Sequence, residues 1–122
     1  MEPSRLSYDE GVMETMETIH PNLTVTRDQI AAFCERWKIA RFELFGSVVR
    51  DDFDAESDVD VLVVFSPDAR VSLFDLVHAQ DELGELFGRP VDLVERLAIE
   101  RSQNWIRRKS ILQSAQLVYA AA

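Results

Sequence analysis

Asp58-Val59-Asp60 sets two carboxylates two residues apart at the entrance to Val59–Phe65, a continuous apolar run. Residues at i and i+2 of a strand share a face, so both acids emerge on the same side. Like charges this close repel and hold each other's protons more tightly. A bound divalent cation reverses that cost by supplying the opposite charge. By itself the pair also describes two solvated acids at a strand entrance, hydrogen-bonded to nearby amides. Asp92, in Val91-Asp92-Leu93-Val94, interrupts a second apolar stretch. If that stretch pairs beside 59–65, Asp92 can face the same side and three carboxylates converge. As a lone edge-strand residue it simply faces water.

Gly46-Ser47 is the third element. It stands where a strand-like segment ends and a helical turn begins. A glycine lets the backbone approach a ligand closely, the amides of a helix start favour phosphate-like anions, and Ser47 adds a hydroxyl. Alone, Gly-Ser is an ordinary turn. A phosphate cradle beside a cluster of acids is what metal-assisted phosphoryl or nucleotidyl transfer needs, because the metal bridges phosphate oxygens and offsets charge in the transition state. Arg50 either reaches such a phosphate or pairs with Asp51, Asp52 or Glu56. Ser57 shapes the turn into the strand.

These residues require a scaffold, and the hydrophobic pattern supplies one. Thr26-x-x-Gln29 has the form of a capping box, with Val25 and Ile30 at the staple positions. Ile30, Phe33, Cys34 and Trp37 then share one helical face, which predicts a helix over 26–38. Residues 41–45 alternate as a strand, 47–50 form a helical turn and 51–57 read as a polar loop. The run 59–65, apolar on both faces, belongs in the middle of a covered sheet. Ser72-x-x-Asp75 opens a second helix with Leu73, Leu76, Val77, Leu83 and Phe87 as its buried stripe, closed by Gly88 and Pro90. A short strand follows at 91–95 and a polar helix at about 101–112. The tail at 115–119 is a last strand or a helical end. Val12, Met16 and Ile19 recur at helical spacing, so 8–19 forms a short helix or an ill-ordered arm. The order helix, strand, strand, helix, strand, helix argues for an α/β or α+β domain with helices packed on a small sheet.

The chain has 122 residues, enough for one core and little more. Its net charge of −9 is opposite to the basic surface that grips nucleic acid through phosphates, so no direct nucleic-acid binding is expected. The single cysteine, Cys34, excludes an intrachain disulfide and reads as a core thiol. The polar Met1-Glu2-Pro3-Ser4-Arg5 start lacks a leader's apolar core. No apolar run approaches the roughly 20 residues of a membrane span, and the expected location is the cytoplasm. Arg101, Arg107, Arg108 and Lys109 form the one basic concentration, either a solvated helix face or a docking surface for an acidic partner. His20 and His78 lack ligand partners at metal-site spacing, and His78 reads as a helix-surface residue. Trp37 and Trp105 read as packing residues.

Gly46-Ser47, ten further residues and then Asp58-Val59-Asp60 resemble the motif of the polymerase-β-like nucleotidyltransferase superfamily. The longer string, Phe45 to Phe53 and Ser57 to Val63, is similar to its minimal branch, and Val91-Asp92-Leu93-Val94 to the strand carrying its third carboxylate. The likeness runs over about residues 26–119. It implies a small mixed β-sheet flanked by helices, with 23–122 as the nucleotidyltransferase domain and 1–22 as an arm or short helix. It implies that Asp58 and Asp60 ligate a pair of magnesium ions and that Asp92 ligates the catalytic one and helps deprotonate the acceptor hydroxyl. Gly46 and Ser47, joined by Arg50 where it reaches the phosphates, would hold the triphosphate of ATP. Minimal members resemble the antitoxin half of a bacterial toxin–antitoxin pair, and the implied partner is a HEPN-type ribonuclease toxin that receives AMP on a tyrosine. Two other readings are a small-molecule nucleotidyltransferase similar to those acting on aminoglycosides, and an antitoxin that neutralises its partner by binding alone.

Overall fold

The computed structural model describes residues 17–50 and 52–121. Its first helix, α1 (Arg27–Trp37), begins at the expected capping box: the Gln29 amide donates to Thr26 Oγ1 at 3.2 Å and the Thr26 amide to Gln29 Oε1 at 2.9 Å. Two of the orphan amides of the first turn are thereby satisfied. Val25 and Ile30 are both buried beside the box. Strand β1 (Ile39–Phe45) leads into a 3-10 turn at Gly46–Val49. Then come β2 (Val59–Phe65), α2 (Leu73–Phe87), β3 (Val91–Glu95), α3 (Arg96–Glu100), α4 (Trp105–Ser114) and β4 (Gln116–Ala120).

The sheet order is β3-β2-β1-β4. β1 runs antiparallel to both β2 and β4, whereas β2 and β3 are parallel and joined across the sheet by α2. β2 is therefore an interior strand, as its unbroken apolar run requires. Val59, Val61 and Val63 join α1 and α2 in a large core on one face, with Ile30, Phe33, Leu83 and Phe87 among their neighbours. Leu62 and Phe45 face the other way and meet Ile99 of α3 and Ile111 of α4. Glu43, also on this second face, is the only charged side chain that is buried among the described residues. It is compensated by ion pairs with Arg96 of α3 and with Arg41, which tie α3 to the sheet.

Several sequence expectations change. Of the helix considered for 8–19, residues 8–16 lie outside the described ones. Residues 17–19 are not helical: Thr18 bridges Thr26, and the Ile19 amide donates to the Val25 carbonyl. β1 starts two residues earlier than its alternation suggests, because Ile39 already pairs with Phe65. On α2 the stripe is narrower than read, since Leu73 is 79% and Val77 53% exposed. At about 100° per residue, Ala79, Leu83 and Phe87 define the buried face, and Val77 is turned well off it. The polar helix expected at about 101–112 begins later, at Trp105, and runs to Ser114, while the separate short helix α3 ends at Glu100. The Ser102 hydroxyl accepts the Asn104 amide and the Asn104 side chain accepts the Arg107 amide, so the chain restarts rather than continuing as one rod. The tail is a strand and closes the sheet beside β1. Trp105, read as a packing residue, is 60% exposed, while Trp37 packs on Phe33 and donates its ring N–H to Glu82. Cys34 is buried, as read.

Candidate active site

The register between parallel strands decides where the acids stand. Asp60 of β2 is directly opposite Asp92 of β3, so the two carboxylates share a face, as expected if these two strands pair. Both line a cleft of about 630 Å³ on the second face of the sheet. The floor includes Phe45 and Gly46, and α4 forms the far wall with Asn104, Arg107 and Ser114. Arg50, just beyond the 3-10 turn, lines it as well. It also pairs with Asp52 at 3.2 Å, so of its two readings the salt bridge is seen and the cleft remains within the same residue's reach. Asp58 and Ser47 are not among the lining residues. Asp58 is exposed just before β2, close enough that its charge is felt at Asp60.

Gly46 has a sharper role than a generic turn. Its φ is +75°, and a β-carbon built there would lie 2.1 Å from Asp60 Oδ2. Phe45 pairs with Asp60 across β1 and β2, so the turn that follows β1 folds back against the Asp60 carboxylate. Any side chain at 46 would occupy the space of that carboxylate. Val48, fully buried, anchors the turn, and Asn22 donates to its carbonyl.

The electrostatics of the cleft are polarised. Partial burial pushes the Asp60 carboxyl above the ordinary carboxylate range, and the charges of Asp92 and then Asp58 push it further. Arg50 and Arg107 pull it back. Acids line the sheet wall, and guanidinium groups come from the turn and from α4. The donors on the acid wall are hard oxygens, the chemistry that magnesium selects. Among the described residues no three acid, histidine or cysteine side chains are already gathered in a coordination geometry. The fit to a cation thus rests on Asp60 and Asp92 in register, on the missing β-carbon beside Asp60, and on a carboxylate that burial and then like charges make reluctant to ionise.

The loop into β2 is held by residues that the motif reading passed over. Asp54 Oδ1 accepts from the Glu56 amide and the Ser57 hydroxyl, which bears out Ser57 as a turn residue. Arg89 Nη1 donates to the carbonyls of Asp54 and Ser57, each at 3.0 Å, and its guanidinium lies 4.6 Å from the Phe53 ring centre. Arg107 and Asn104 were also missed as site residues. Their signal was present as a polar stripe at 104, 107, 110 and 114, a spacing that lies on one helical face. The basic concentration of Arg101, Arg107, Arg108 and Lys109 drew attention to charge rather than to that face. His78 is exposed on α2, as expected.

Comparison with known proteins agrees with this geometry. The nucleotidyltransferase domain family matches residues 27–118. Protein adenylyltransferase MntA of Thermococcus cleftensis is 33% identical over 88 residues, covering 72% of this chain and 84% of that one. A solved structure, proposed as a minimal nucleotidyltransferase, superposes with a TM-score of 0.57 at 29% identity over 73% of this chain and 85% of its own. The fold also recurs in a complex of a tri-AMPylated Shewanella oneidensis HEPN toxin with an MNT antitoxin, with a TM-score of 0.53 at 16% identity over 78% of this chain and 70% of that one. The mixed four-stranded sheet and the matched stretch, which spans from α1 to β4 and so includes every element that lines the cleft, mean that this chain belongs to the nucleotidyltransferase domain family.

Proposed function

We propose that this nucleotidyltransferase is a protein adenylyltransferase and the antitoxin of a toxin–antitoxin pair. It moves AMP from ATP to a tyrosine of a cognate HEPN-type ribonuclease, in the cytoplasm. The observation that carries the site assignment is the register of Asp60 against Asp92, both lining a cleft that Arg50 and Arg107 also line. The likeness to an adenylyltransferase and to an antitoxin complexed with an AMPylated toxin supports the choice of acceptor. Among the described residues no helix is long and apolar enough to cross a membrane.

In this reading residues 23–122 are the catalytic domain and 1–22 an arm. Asp58, Asp60 and Asp92 hold a pair of magnesium ions. Those ions, when bound, offset charge on the phosphates and lower the proton affinity of the acceptor oxygen. Gly46 and Ser47 receive the triphosphate, Gly46 by leaving room and Ser47 through its hydroxyl. Arg50 adds a positive charge at the edge of the cleft. Asp92, exposed on the edge strand, would take the proton of an incoming hydroxyl.

The test is incubation of the protein with labelled ATP, magnesium and the product of the adjacent gene. Label on that partner, lost in Asp58→Ala and Asp60→Ala, is the expected result. Partner inhibition that survives both substitutions would overturn the catalytic reading. A labelled small molecule with no labelled protein would overturn the acceptor.

A further inference from the structure

We infer that Arg107 is a nucleotide-binding residue, whose guanidinium holds the β- and γ-phosphate oxygens of the donor from the α4 wall, opposite the acids of the sheet. This rests on the reading of the cleft as the site of nucleotidyl transfer. Among the described residues Arg27, Arg36, Arg41 and Arg96 sit in ion pairs, Arg89 and Arg108 donate to backbone carbonyls, and Arg70 and Arg101, though without such partners, do not line the cleft. Arg50, the other arginine of the cleft, is engaged by Asp52. Arg107 lines the cleft with no ion-pair or hydrogen-bond partner for its side chain among the described residues.

Arg107 stands on the first turn of α4, where its amide donates to the Asn104 side chain at 3.1 Å. That cap fixes the backbone from which the side chain projects. Asn104, Ser110 and Ser114 continue the same polar face along the cleft, while Ile111 anchors the helix in the second core. A planar guanidinium with several donors matches phosphate oxygens in a way that a lysine does not.

The charge balance of the reaction points to the same wall. The acceptor oxygen bonds to the α-phosphorus, and the bond from that phosphorus to the bridging oxygen breaks with its electron pair on pyrophosphate. The hydroxyl proton passes to a carboxylate of the acid wall. Negative charge therefore accumulates on the leaving pyrophosphate, away from the acids, and a cation on the opposite wall is where it is stabilised.

The test is calorimetric binding of a non-hydrolysable ATP analogue in magnesium, with AMP in parallel. Arg107→Ala should weaken the analogue by roughly 10- to 100-fold, the range for a lost charge-assisted contact, and leave AMP unchanged. Arg107→Lys should fall between the two, and Lys109→Ala, an exposed neighbour outside the cleft, should bind as the parent does. Thermal melting of each variant separates a folding defect from a binding one. Parent-like analogue affinity in Arg107→Ala, or equal weakening of AMP, would overturn the inference. If Asp60→Asn abolishes partner labelling while Arg107→Ala still binds the analogue normally, only the role of Arg107 fails. If Asp60→Asn leaves labelling intact, the assignment of the cleft fails and takes Arg107 with it.

Discussion

Gly46 and Gly88 form a natural experiment in why one glycine matters to the site. Both have positive φ, +75° and +69°, so alanine at either position must adopt the left-handed backbone. That term costs about 1–2 kcal/mol for an L-residue. At Gly88, which ends α2, a β-carbon meets nothing within 4 Å, so the backbone term is the whole effect. At Gly46 the β-carbon would stand 2.1 Å from Asp60 Oδ2, a separation no real pair of atoms sustains. Either the carboxylate swings away or the turn shifts, and forced repacking of this kind adds about 1–3 kcal/mol. Gly88→Ala should lower the melting temperature by about 4–8 °C, at roughly 4 °C per kcal/mol for a domain of this size. Gly46→Ala should lower it clearly further. Displacing Asp60 by an ångström should also cost on the order of 100-fold in AMP transfer, because the reacting groups no longer align. Gly88→Ala should transfer AMP at the parental rate at a temperature where both variants are folded. In an Asp60→Ala background the excess cost of Gly46→Ala should vanish, which a double-mutant cycle measures directly. Equal melting temperatures for the two alanine variants, or near-parental transfer by Gly46→Ala, would refute the reasoning.

Asp60→Asn should raise the melting temperature in the absence of divalent cations and remove any stabilisation by magnesium. The folded chain binds the Asp60 proton more tightly than the unfolded one, so the stability this group contributes is present below its ordinary value of 3.8 and is lost as pH rises through the raised folded value. Melting curves at neutral pH with and without magnesium check both halves. Burial, and then the charge of Glu35, push the Cys34 thiol from 9.0 up to about 12. A thiol reagent at pH 8 should therefore react with the unfolded chain and leave the native one almost untouched. By the same sign, the contribution of Cys34 is level below pH 9 and is lost as pH climbs towards 12, so denaturant titrations of Cys34→Ala should show a shallower alkaline slope, the rest including Tyr119, whose phenol burial also pushes up. Arg89→Ala should lose about 1–2 kcal/mol and open the loop before Asp58, since it removes two charge-assisted bonds to carbonyls and a stack on Phe53. Limited proteolysis with mass spectrometry would locate faster cleavage within residues 52–57, and unchanged cleavage there would count against the clamp.

Local chemistry made much of this molecule readable before any fold was known. The capping boxes at Thr26 and Ser72 act within four residues, so their helices start where the side chains say. The unbroken apolar run of 59–65 demanded cover on both faces and stands inside the sheet. Ser102 and Asn104 were equally local signals, and the charge-rich pattern across them hid the cap at Asn104, so the helix expected from about 101 starts only at Trp105.

What sequence alone determined is the identity of the acids and, through the alternation of side chains along a strand, that Asp60 turns away from the face of Val59 and Val61. Which strand lies beside β2, and in what register, is a matter of long-range pairing that no local pattern encodes. Only the tertiary structure brought Asp92 level with Asp60, folded Gly46 against that carboxylate and swung Arg107 across from both. It also left Asp58 and Ser47 outside the cleft lining, a distinction that equal membership in one motif could not make. The reason is geometric: spacing along a chain fixes which way a side chain points, whereas the distance between groups from different elements is set by how the helices and strands pack.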